Sequence, residues 1–132
     1  MSFTPADVDA ALHGVLKRYD RIGFGRRGVI DAEQEILRYA AGLSDDDLVR
    51  LRRIVMSWIA AAEADRVTES LHYNLLEHVQ TLAIRLCASM PIPESLPLLR
   101  RLQADNAFAG DDAELRRDAL RESVARLSET HA

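Results

Sequence analysis

One cysteine, one lysine, one tryptophan and only 5% aromatic residues stand in this chain of 132. With Cys87 alone, no disulfide can close within the chain and no thiolate cluster can hold a metal. No apolar run approaches the roughly 20 residues that a membrane-crossing helix needs, so a membrane is not an expected partner. The opening "MSFTPADVDA" lacks the basic-then-apolar pattern of a signal segment, and cytoplasmic residence is the expectation. Excess positive charge is missing as well. Seventeen basic side chains face 21 acidic ones, a net charge of −4, so the footprint of a nucleic-acid binder is not there. Period-two alternation and clusters of β-branched residues are absent, which excludes a sheet of useful size.

What is present is a chain of ordinary globular composition, 48% apolar and 29% charged, long enough for one domain with its own core. Sixteen of the 17 basic residues are arginine, the bias expected of GC-rich bacterial coding. Helical periodicity runs almost throughout. Val8, Leu12, Val15 and Tyr19 form one stripe over residues 5–19, with Thr4 as N-cap and Pro5 in the first turn. A second helix is expected from Asp31, with Gln34 as its capping-box partner, to Gly42. Ser44 caps a third, whose seam reads Leu48, Leu51, Val55, Trp58 and Ala62. A fourth begins near Thr68 and carries Leu71, Leu75, Val79, Leu82 and Leu86, until Pro91 and Pro93 end it. A short fifth holds Leu96, Leu99 and Leu102. After the loop "DNAFAGDD", Asp111 or Asp112 caps a sixth through Leu120, Val124 and Leu127. The expectation is a single all-α domain over residues 1–132, about six helices in antiparallel hairpins.

"PESLPLLRRLQAD" followed by "DAELRRDALRESVARL" resembles a HEAT-type repeat, a proline-marked helix and then one with an acidic start and regular Leu and Ala. "DDLVRLRRIVMSWI" with "SLHYNLLEHVQTLAIRL" is similar to a less regular preceding unit. The resemblance covers residues 44–129 and implies a stacked protein-binding surface without chemistry of its own. A compact helical bundle is the alternative architecture.

Gly23, Gly25 and Gly28 in "IGFGRRGVID" spell G-x-G-x-x-G. A dinucleotide site requires a strand before the first glycine and another strand with an acid beyond the helix. Helical sequence precedes Gly23 and no strand follows, so the match is accidental. The surrounding charge is a separate matter: Lys17, Arg18, Arg21, Arg26 and Arg27 against Asp20 make residues 17–27 locally +4. Read as a loop, this segment offers Arg21, Arg26 and Arg27 to a carboxylate-rich or phosphate-bearing partner. Phe24 either tucks into the core or protrudes as a binding anchor.

Other chemistry is thinner. In "HYNLLEH", His72 and His78 are six apart and lie about 120° from each other on a helix, whereas paired zinc ligands sit four apart. Asn74 shares a face with His78, and Glu77 adjoins it. Cys87 stands beside the Leu86 stripe with no base assignable to it, and Ser57 lies mid-helix between Met56 and Trp58. Arg50, Arg52 and Arg53 suggest a basic stripe, but a recognition helix opening with Asp45, Asp46 and Asp47 would repel the phosphates it approached. Those aspartates suit the positive end of a helix dipole.

The sequence therefore points to a non-catalytic domain that binds another protein, without cofactor, metal, nucleic acid or membrane, as a monomer or weak homodimer. In size, acidity and paired helices it is similar in type to bacterial immunity proteins. That resemblance implies a cognate basic toxin domain as partner, met by Asp45, Asp46, Asp47, Asp111, Asp112 and Glu114 together with Arg21, Phe24, Arg26 and Arg27. The alternatives are a small ligand- or metal-binding helical enzyme using the 72–78 helix, and a homodimeric adaptor.

Overall fold

The computed structural model describes residues 5–22, 25–69, 76–108 and 113–131. Among these it holds seven α-helices and no strand: α1 (Pro5–Ile22), α2 (Gly25–Ala41), α3 (Asp45–Ser57), α4 (Ala61–Thr68), α5 (Leu76–Ser89), α6 (Leu96–Ala104) and α7 (Glu114–His131). A 3-10 turn, Pro93–Ser95, leads into α6. The expected all-α class is the observed one, as a bundle arranged about α5.

Helix α5 is the centre because its sequence is apolar nearly all the way round. Val79, Leu82, Ala83, Ile84, Leu86, Cys87 and Ala88 are all buried, and a helix of that kind has to be enclosed by others. Helices α2, α3, α4 and α7 enclose it, and α7 packs on it most closely. Helix α1 lies outside, on α2 and α3, and α6 lies on α7. No helix among the described residues is long and apolar enough to cross a membrane.

Two boundaries depart from the sequence reading. Helix α2 begins at Gly25, six residues before Asp31, so Arg26 and Arg27 belong to its first turn and not to a loop. The reason is tertiary. Val29, Ala32 and Ile36 form a buried stripe, Gly28 is buried beside it, and packing on α5 outweighs the low helix propensity of two glycines. Asp31 is no cap here. It stands one turn past Arg27, 4.0 Å from its Nε.

The second departure is a break in the expected seam from Leu48 to Ala62. Helix α3 starts as expected, with the Ser44 hydroxyl accepting from the Asp47 backbone N–H at 3.3 Å. It ends at Ser57, and α4 begins only at Ala61, leaving Ala62 exposed. No proline or glycine marks the break. It brings the adjacent Trp58 and Ile59 both into the core. It also frees the Ile59 carbonyl, which accepts a 2.8 Å bond from the buried Gln80 amide on α5. The expected start of the fourth helix near Thr68 is where α4 stops, and Leu71 and Leu75 lie outside the described residues.

Helix α6 ends in a Schellman motif. The Ala107 N–H reaches the Leu102 carbonyl at 3.0 Å and the Asn106 N–H reaches Gln103 at 3.2 Å. This geometry requires a left-handed residue, and Asn106 supplies it at φ 53°. Asn106→Gly is expected to raise stability by about 0.5 kcal/mol, and Asn106→Val to lower it by about 1–2 kcal/mol. Urea denaturation of the three chains measures both signs.

Candidate interaction surface

Three helices present one face each to a crevice of about 130 Å³. Arg26, Val29 and Ile30 lie at helical spacing on α2. Thr81 and Arg85 lie one turn apart on α5, and Leu115, Asp118, Ala119 and Glu122 line α7. Ile30 is 40% exposed, one of two large apolar side chains so placed among the described residues, the other being Val49.

The crevice is built around Arg85. Its Nε donates to Oε1 of Glu33 at 2.7 Å. Glu33 is a carboxylate on α2 with only 3% of its surface exposed. The Ser89 hydroxyl donates to the other Glu33 oxygen and also lies 2.9 Å from the Arg85 carbonyl. A buried carboxylate left without such partners is strongly destabilising, so Glu33 holds the Arg85 guanidinium in one orientation. The Arg85 side chain remains 30% exposed, and its Nη donors make no hydrogen bond among the described residues. The nearest other carboxylate among the described residues is Glu122, 3.9 Å from Nη1, which is too far for a hydrogen bond. Asp118 is engaged by Arg121 one turn along α7, at 3.4 Å. The structure therefore brings Arg26 together with Arg85, a residue that sequence reasoning did not single out. Nothing in the local sequence signals that Glu33 and Arg85, 52 positions apart, would meet.

The other expected partner-binding residues fall in several places. Arg21 is exposed in the last turn of α1. The side chain of Arg27 is 96% exposed. The local charge of +4 is smaller in space than along the chain, because Arg18 is paired with Glu35 of α2. Asp45 and Asp46 are exposed at the start of α3, but Asp47 is buried, so its carboxylate is not offered to a partner as expected. Glu114 is exposed at the start of α7, a helix that shares α5 with α3 and does not pack closely on α3. Gly23, Phe24, Asp111 and Asp112 lie outside the described residues. Helix α1 runs up to Ile22 and Gly25 opens α2, so the surroundings of the glycine motif are helical on both sides, as its accidental reading requires.

A larger groove of about 870 Å³ opens between α1, α3 and α4. Its floor includes the buried Leu12, Leu16 and Trp58. Four charged side chains of its lining are paired, Asp9 with Arg50 and Glu63 with Arg66. The Arg66 hydrogen bond draws the Glu63 carboxyl below its ordinary range.

The residues considered for chemistry are placed as follows. Burial pushes the Cys87 thiol up to about 11, only partly offset by a hydrogen bond with Ser95, so it stays a neutral thiol at neutral pH. His78 is half-buried, and burial lowers its pKa below 6.5 while neighbouring Glu77 pulls the other way. Glu77 is 3.7 Å from Arg116 of α7. His72 and Asn74 lie outside the described residues, and no group of three metal-ligating side chains occurs among those described. No family model, curated protein or solved structure matches the chain.

The lowered pKa of His78 sets a direction for stability against pH. Its unfolded form takes up a proton first as pH falls through about 6.5, so stability is complete above that value and declines below it. Melting curves from pH 8 to pH 5 should show a shallower decline for His78→Gln than for the natural chain. An equal slope would place the titrating group elsewhere.

Proposed function

We propose that this chain is a non-catalytic binding domain that engages another protein through the α2–α5–α7 face. One observation carries the reading. An exposed aliphatic side chain, Ile30, stands at a crevice also lined by an arginine that a buried carboxylate holds and whose Nη atoms make no hydrogen bond among the described residues. Interfaces concentrate their energy in such places, where a preorganised arginine adjoins apolar surface that a partner can cover. Arg85 is oriented by Glu33 before binding, so little of its conformational entropy is lost when a partner arrives.

The resemblance of residues 44–129 to HEAT-type pairs leads in the same direction, toward binding and away from chemistry. Similarity in type to immunity proteins makes a toxin domain the first partner to test. The acidic side chains exposed at the starts of α3 and α7, Asp45, Asp46 and Glu114, would then steer a basic partner at long range.

The test is to co-purify the chain with its partner from the native host and measure the affinity of variants for that protein. Ile30→Arg should weaken binding by about tenfold or more and leave the melting temperature nearly unchanged, since Ile30 is already part-exposed. Arg26→Ala with Arg27→Ala should weaken it in the same direction. Unchanged affinity in both variants would move the interface off this face.

A further inference from the structure

We infer that the crevice between α2, α5 and α7 receives a carboxylate side chain, Asp or Glu, from the partner polypeptide. The inference rests on the binding reading above and adds the chemistry of the contact. Guanidinium donors in a fixed fork match a carboxylate in two parallel hydrogen bonds, which an ammonium or an amide does less well. Arg85 presents that fork. One of its five N–H groups is spent on Glu33, and this bond sets the plane of the group. The remaining donors lie on the Nη atoms, and Arg85 lines the crevice together with Arg26 of α2.

The nearby acids do not already fill this role. Asp118 is drawn to Arg121, and Glu122, with 68% of its side chain exposed, stops 3.9 Å short of Nη1. Glu122 thus marks where a carboxylate is attracted without closing the bond itself. A better placed carboxylate from outside would displace it into solvent at small cost.

Size identifies the source. At about 130 Å³ the crevice is on the scale of one side chain, well under the roughly 300–1,000 Å³ of pockets that enclose small molecules. The exposed Ile30 on its wall provides an apolar surface on which the residues flanking an inserted acid can rest. A free dicarboxylate would have no use for that surface, whereas a polypeptide would.

The experiment uses the full chain and two fluorescent, terminally blocked peptides of alternating Glu and Leu or Gln and Leu residues. Binding is read by anisotropy, and the site by amide and arginine Nε shifts in NMR. The Glu peptide should bind about fivefold or more tighter than the Gln peptide, with shifts centred on Arg26, Ile30 and Arg85, and should weaken in high salt. Arg85→Gln would strand Glu33 and threatens folding, so the variants are placed on the exposed wall. Arg26→Gln should weaken the Glu peptide about threefold, and Glu122→Gln should strengthen it about twofold by removing the competing carboxylate. A merely structural role for Glu122 would not improve binding. Equal affinity for the two peptides, shifts centred elsewhere, or no gain in Glu122→Gln would overturn the inference. Displacement of the peptide by succinate or inorganic phosphate at equal concentration would overturn the polypeptide source. If Ile30→Arg still abolishes capture of the natural partner while the two peptides bind alike, the carboxylate inference fails and the binding reading stands.

Discussion

Enclosure of α5 is the constraint on which the rest of this structure depends. The buried polar residues of a helix surrounded by four others cannot turn toward water, so each of those must find a partner inside the bundle. Thr81 donates back to the Glu77 carbonyl at 2.7 Å, and Gln80 reaches the Ile59 carbonyl at 2.8 Å. Arg116 of α7 closes the second network. Its Nη1 donates to the Gln80 side-chain oxygen at 2.9 Å, and its guanidinium stacks 4.8 Å from the centre of the Phe108 ring. On α7, Ser123 donates to the Ile84 carbonyl at 2.9 Å.

These internal bonds explain features that otherwise look arbitrary. The break between α3 and α4 frees a carbonyl, and the Gln80 amide donates to it. Packing of α2 on α5 brings Glu33 to the level of Arg85 and Ser89, and α5 thereby gains a charged partner on a side where an apolar residue would also have packed. Replacing a buried ion pair by apolar residues is often neutral or stabilising, so its presence here is better understood as orienting Arg85 than as holding the fold together. The candidate surface is thus a by-product of how the central helix is satisfied.

Much of the architecture was legible from residue order. The all-α class, the Ser44 cap, the end of α5 ahead of Pro91 and Pro93, and the pairing of the two final helices all follow from periodicity and local capping chemistry. Local signals misled where packing opposed them. Gly25 and Gly28 argued for a loop, yet the buried stripe through Val29, Ala32 and Ile36 drew them into α2. The unbroken seam through Trp58 and Ala62 argued for one long helix, yet a hydrogen bond across the bundle favoured a turn. Of the expected partner-binding residues, Arg26 stands in the crevice, whereas Asp47 is turned inward.

By itself, the amino-acid order determined which segments coil and which of their faces are greasy, because helix periodicity and capping act over four residues or fewer. Only the tertiary structure decided that Glu33 and Arg85 would meet, that α5 would be the enclosed helix, and that Ile30 would be left part-exposed beside a fixed guanidinium. Those outcomes depend on side chains far apart in sequence competing for one interior. No local pattern records which of them will share it.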